Sequence, residues 1–281
     1  MNIAISFPCL GNLTINPPEF FTVFGFQVHW YGVIIACGFL LAVLYCCRIS
    51  QSRFGIHPDT ILDALLVTVP VSVICARAYY VIFNFELYAD NLISVFYIRN
   101  GGLAIYGGII GAVVTVCIFC KVKKLSTGAL LDLTAMGLLI GQSIGRWGNF
   151  INREAYGISA NVDTWFLRMG LTNLNTGVTT YVHPTFLYES VWNAVGFLML
   201  HLFVKHGKRK YDGQVLLLYL AWYGLGRTFI EDLRTDSLYL FGTGIRVSQL
   251  LSALLCLTAL VLLFLFRKKR SGSVSQTEEP C

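Results

Sequence analysis

Long apolar stretches separated by short polar joints dominate the chain. Seven runs reach or approach the ~20 residues needed to cross a hydrocarbon core. They are residues 28–47, 64–83, 103–120, 128–145, 186–204, 214–230 and 247–266. The first and last are the most continuous, while the third and fourth are short and rich in glycine. Gly107 and Gly111 in the third run, and Gly137, Gly141 and Gly145 in the fourth, recur every four residues. Such ridges let helix backbones approach closely. Gly101, Gly102, Gly107 and Gly108 bracket residues 103–106, which predicts an irregular start to the third run. Irregular backbone at membrane depth is tolerated where protein or water covers it. The longest polar joint, residues 147–185, contains NVDTWFLRMGLTN, whose alternation predicts short strands or a hairpin. The tail SGSVSQTEEPC, residues 271–281, is polar and predicted to be disordered. The pattern predicts one integral membrane domain of the all-α polytopic class, with seven transmembrane helices and a small external loop domain.

Composition agrees with that reading. The chain is 56% hydrophobic and 13% charged, against about 25% charged in soluble domains. Lysine and arginine fall unevenly over alternate joints. The set comprising residues 48–59, 121–127, 205–213 and 267–281 holds thirteen, and the opposite set holds four. By the positive-inside bias this puts the C-terminus in the cytoplasm and the N-terminus outside, as an odd number of spans requires. The first residues, MNIAISFPCLGNLTINPPEF, lack a basic stretch before an apolar run and do not read as a cleaved signal peptide. No basic–aromatic stripe suggests nucleic acid. Of nine cysteines, six sit inside apolar runs and Cys47 at the end of one, where they read as small hydrophobes. Cys117 and Cys120 form a lone CxxC with no second pair, so no metal site is expected.

The chemistry sits where polar groups interrupt the apolar pattern. Arg77, Arg146, Arg227 and Arg246 lie within or at the edges of the runs, with Asp132, Glu189 and Glu231. An arginine at mid-helix costs ~2.5–3.5 kcal/mol on insertion scales, so each needs a partner or a job. Tyr223, Arg227 and Glu231 stand at i, i+4 and i+8, one stripe on a helix, and Arg227 can pair with Glu231 along it. The densest block is GRWGNFINREAYG, residues 145–157. There Arg146, Asn149 and Arg153 form a second row at i, i+3 and i+7 if helix continues past Gly148. Two guanidinium forks near the external face point to an anionic ligand, because the fork matches phosphate oxygens. The plainer alternatives are a salt bridge that steadies the helices and an Arg146 that reaches lipid phosphates. Trp30 reads as part of an aromatic belt, and His183 as a loop–helix junction ahead of Pro184.

Taken together, these blocks resemble the prolipoprotein diacylglyceryl transferase family. GRWGNFINREAYG is similar to that family's most distinctive box. VHWYG (28–32), GGLAIYGG (101–108), HPTFLYE (183–189) and YGLGRTFIED (223–232) are similar to its other blocks, in the same order. The resemblance implies transfer of the diacylglyceryl group of phosphatidylglycerol to the lipobox cysteine thiol of a prolipoprotein. A thioether forms and glycerol phosphate leaves, at the external face of the bacterial cell membrane, with no cofactor. It implies catalytic roles for Arg146, Arg227, Tyr106 and Glu231. It implies phosphatidylglycerol contacts from Arg146, Asn149, Asn152, Glu154, Tyr31, Tyr223 and Gly157. One position departs: some members carry histidine where this chain has Tyr106. A phenol of reference pKa ~10 is a poor base near pH 7. Either the base lies elsewhere, or an arginine lowers the phenol, or the histidine is not a base in general.

Two other classes make different demands. An anion transporter calls for internal repeats or paired broken helices, and the two halves show no convincing similarity. A non-catalytic scaffold leaves the dense polar block at 145–157 without a purpose.

Overall fold

The computed structural model describes residues 3–11, 13–98, 101–161, 166–235, 239, 244 and 246–274. The described residues form seven α-helices and six strands. Helices α1 (Trp30–Ile49), α2 (Pro58–Phe83), α3 (Ile105–Lys123), α4 (Thr127–Asn152), α5 (Thr185–Lys205) and α7 (Val247–Val274) are each long and apolar enough to cross a membrane. Helix α6 (Gln214–Glu231) spans 18 residues. Its Gln214, Arg227 and Glu231 keep it less apolar than the other six. The chain is a polytopic membrane protein. The helices also differ in burial: 17% of the apolar window of α1 and of α7 is buried, against 44% for α4.

The all-α expectation misses a sheet. Strands β1 (Ile3–Phe7), β2 (Leu13–Ile15), β5 (Met169–Asn173) and β6 (Thr179–Val182) form one antiparallel sheet in the order β2-β1-β5-β6. The short segment IAISF alternates too briefly to announce a strand, yet it pairs on both edges, Ile5 with Ile15 and Leu171. Strands β3 (Phe20–Val23) and β4 (Phe26–His29) make a separate hairpin that leads directly into α1.

The contacts divide the chain into two compact units. One comprises residues 46–133, and the other residues 1–45 with 134–281. In the first, Gly107 and Gly111 lie against α2. A methyl at Gly111 would sit 2.6 Å from Cys75 Cβ, so the predicted small-residue ridge has a packing partner. Residues 101–104 are not helical, and α3 begins at Ile105. Arg77 is buried there and donates to the carbonyls of Ser94, Val95, Gly101 and Gly102. It fastens the α2–α3 joint through backbone and leaves no lone charge in an apolar place. Tyr106 stands in the first turn of α3, partly exposed.

In the second unit Ile5, Met169, Leu171, Val182 and Phe186 form a core with Phe150 packed against it. The rings of Phe150 and Phe186 pack at a tilt, with centroids 4.8 Å apart. The sheet thereby holds together the end of α4 and the start of α5, which carry most of the candidate residues.

Candidate functional site

The apolar run that ends at Gly145 does not end the helix. Helix α4 continues through Asn152 because its polar residues have partners. Trp147 donates its indole N–H to Ser190 Oγ at 3.1 Å. Ser143 and Ser190 exchange hydroxyl-to-carbonyl bonds of 2.9 and 2.8 Å across α4 and α5. Gly148 lies under the ring of Tyr31, 2.8 Å from where a methyl would stand. These contacts fix the register of α4 against α5 and against the start of α1.

Helices α5 and α6 are joined by a reciprocal clasp. Trp192 and Trp222 stack at 4.3 Å, and each indole donates to the other's carbonyl at 3.0 Å. Gly196 and Gly226 make the room; a methyl at either would overlap the partner indole. Glu189 stands one turn before Trp192, and Arg227 follows Gly226, so the clasp sets these two side chains opposite each other.

The carboxylate of Glu189 is the centre of the site. Its side chain is 4% exposed. Oε2 lies 2.5 Å from Arg146 Nη2, and Oε1 lies 3.0 Å from both Arg227 Nη1 and Arg234 Nη1. Arg227 also reaches Glu231, Nη2 to Oε2 at 2.6 Å, the pair expected from the i, i+4 spacing. Arg246 donates to the carbonyl of Glu231 and lies 3.3 Å from Asp232 Oδ1. Two guanidinium forks from two helices therefore converge, as the sequence pattern suggests, but they do so on a glutamate contributed by a third. Tyr223, Trp192 and Arg227 line a small cavity beside Glu189. Tyr223 in turn stacks on Tyr219 at 5.7 Å.

The polar block extends outward from Arg146. Its Nη1 donates to Asn149 Oδ1 at 3.3 Å. Asn149 and Asn152 both donate to Glu154 Oε1, at 3.0 and 3.3 Å. Gly157 sits where backbones cross: its N–H donates to the His183 carbonyl at 2.9 Å, and a methyl would fall 2.8 Å from His183 Cβ. It also bridges to Arg234, so the glycine lets that arginine come close. Burial holds the His183 imidazole below its ordinary pKa.

Arg153 leaves the row in which its spacing puts it. Its φ of 54° is left-handed and ends the helix. The buried side chain instead donates to the carbonyls of Ile3 and Pro17 and to Asn16 Oδ1, each at 2.7 Å. It ties the N-terminal strands to the block. Tyr106 belongs to the other unit and is not among these contacts.

Two participants, Arg234 and Glu189, stand outside the expected site residues. Arg234 sits in a polar joint, where a charge looks unremarkable. Glu189 carries a usable signal: on its own helix the positions three and four away are Thr185, Phe186, Trp192 and Asn193, none basic. A buried acid with no local cation must be paired from elsewhere.

A family model described as prolipoprotein diacylglyceryl transferase matches residues 18–265. Several relatives bear the name phosphatidylglycerol–prolipoprotein diacylglyceryl transferase. One from Clostridioides difficile is 40% identical over 259 residues, covering 91% of this chain and 98% of the relative. One from Enterococcus faecalis is 44% identical over 257 residues, covering 88% and 90%. One from Bacillus cytotoxicus is 45% identical over 249 residues, covering 86% and 89%. With the match running from just before β3 through most of α7, and so across every residue of the arginine–glutamate site, the chain belongs to the prolipoprotein diacylglyceryl transferase family.

Proposed function

We propose that this protein transfers the diacylglyceryl group of phosphatidylglycerol to the lipobox cysteine of a prolipoprotein. The observation that carries the reading is the meeting of Arg146 and Arg227 beside Glu189. A guanidinium has five N–H donors. Among the described residues each of these two uses donors on two partners, Arg146 on Glu189 and Asn149, and Arg227 on Glu189 and Glu231. Each keeps donors for a phosphate.

The new C–S bond forms as the bond between the glycerol carbon and its phosphate oxygen breaks. The leaving glycerol phosphate takes the electron pair, and the thiol's proton passes to that phosphate or to water, because thiolate is the nucleophile. Charge grows on the phosphate as the bond breaks, and Arg146 and Arg227 are aimed at that growth. Asn149, Asn152 and Glu154 orient the headgroup glycerol. Tyr31 and Tyr223 wall the pocket, and Glu231 steadies Arg227. The lysine and arginine asymmetry supports seven spans with the N-terminus outside, the site near the external face and residues 147–185 as an external head.

The test uses membranes containing the protein, phosphatidylglycerol and a lipobox peptide. Diacylglyceryl-peptide and glycerol phosphate should appear together, and Arg146→Ala and Arg227→Ala should each abolish both without loss of expression. Absence of both products from the unaltered protein would sink the reading; normal turnover in either variant would remove that arginine from the phosphate role.

A further inference from the structure

Glu189 holds more cation than burial requires. One arginine would neutralise a buried carboxylate, yet Glu189 takes three: Arg146 on one oxygen, Arg227 and Arg234 on the other. Two of these are the residues assigned above to the phosphate, and they come from different helices. A carboxylate gripped by several guanidinium groups presents the charge and oxygen geometry that a phosphate would present to the same donors. We infer that Glu189 is a positioning residue that acts as a resident anion: it aims the Arg146 and Arg227 forks and weakens their hold on phosphate enough for the product to leave. This rests on the transferase reading, since it concerns the arginines of that site.

The chemistry requires such a balance. Phosphatidylglycerol presents a phosphodiester with one negative charge, whereas glycerol phosphate, a monoester, carries nearly two near neutral pH. A site built only to attract phosphate would hold its product better than its substrate. A fixed negative charge beside the arginines repels the product's extra charge most. The clasp of Trp192 and Trp222 and the bonds of Ser143 and Ser190 keep Glu189 from retreating.

Glu189→Gln keeps the size of the side chain and removes its charge. Loss of one unit charge roughly 6 Å from the phosphate, at an effective dielectric of ~40 between protein and water, should tighten binding by about tenfold for each unit of charge the ligand carries, and so glycerol phosphate binding by at least tenfold. Turnover should fall by at least that factor as product release slows and the forks lose their aim. Binding is measured on the purified full-length protein by tryptophan fluorescence with glycerol phosphate as the probe, independently of turnover. A merely structural role for Glu189 predicts weaker binding of everything. Equal or weaker glycerol phosphate binding in a folded Glu189→Gln protein overturns the inference.

If Glu189→Gln does not accumulate, Glu189→Asp serves. Its carboxylate retracts by one methylene and keeps the charge, so turnover should fall while glycerol phosphate binding stays within about threefold of the unaltered protein. Unchanged turnover in that variant overturns the inference as well. If the unaltered protein binds glycerol phosphate but forms no diacylglyceryl-peptide, the transferase reading fails and the resident-anion assignment is still decided by the binding comparison.

Discussion

Replacing Arg227 with lysine separates the fork from the charge. In the structure Arg227 spans two carboxylates with its two Nη atoms, Glu189 at 3.0 Å and Glu231 at 2.6 Å. A lysine has one nitrogen on a flexible stem and cannot hold both while donating to a phosphate. Positive charge remains, so the buried carboxylates stay compensated, and the ~3–5 kcal/mol penalty of stranding a buried charge is avoided. The fold should therefore survive. The chemical step should not, because losing one donor aimed at developing charge typically costs about 10²–10³ in kcat, or ~2.7–4 kcal/mol. The assay follows labelled diacylglyceryl transfer to a lipobox peptide at saturating phosphatidylglycerol, with the melting temperature read on the same preparation. The reasoning predicts kcat down about a hundredfold or more with little change in melting temperature. A variant within threefold of the unaltered kcat, or one that loses turnover only because it unfolds, would refute it.

Arg153→Ala should act on stability and not on chemistry. It strands the carbonyls of Ile3 and Pro17 and the Asn16 side chain, so the melting temperature should drop by an amount corresponding to about 3–5 kcal/mol, with turnover per folded molecule retained. Gly157→Ala should lower both activity and expression, since the methyl meets His183 and the Leu233 carbonyl at 2.8 and 2.9 Å; full activity would show that this crossing of backbones yields easily. Tyr106→Phe should retain substantial activity if the phenol packs or donates a hydrogen bond, and loss below detection would make its hydroxyl essential. The lowered pKa of His183 means the unfolded chain takes a proton more readily than the folded one. Its contribution should destabilise the fold as pH falls through the usual imidazole value of about 6.5. His183→Gln should flatten that part of the curve of melting temperature against pH.

Much of this was legible in the chain because membranes impose a simple rule. Runs such as residues 28–47 have no reading but a buried or lipid-facing helix, and α1 lies over them. The Arg227–Glu231 pair followed from helical spacing alone. What escaped depends on contacts between elements far apart in sequence. The apolar run ends at Gly145 and leaves open whether helix continues past Gly148; Arg146, Trp147 and Asn149 are each partnered, so α4 runs on to Asn152. Arg153 fits a helical row by spacing, yet its backbone turns left-handed at that residue and sends the side chain to the N-terminal carbonyls. Strand β1 has only five residues of weak alternation, and its identity comes from pairing with β5, more than 160 residues later. The central position of Glu189 is likewise a property of three helices and no one motif. Residues 275–281, most of the tail expected to be disordered, lie outside the described residues, while α7 extends to Val274.

The central claim is that Arg146 and Arg227 grip one phosphate together. Its most direct test is nitrogen-15 to phosphorus-31 dipolar recoupling by solid-state NMR, on arginine-labelled protein reconstituted with phosphatidylglycerol. Guanidinium nitrogens of both residues should lie within about 3 Å of phosphate oxygens and dephase strongly, with part of the signal lost in Arg146→Lys and another part in Arg227→Lys. Dephasing that neither substitution diminishes would mean the phosphate is held by other residues, and the account would be wrong.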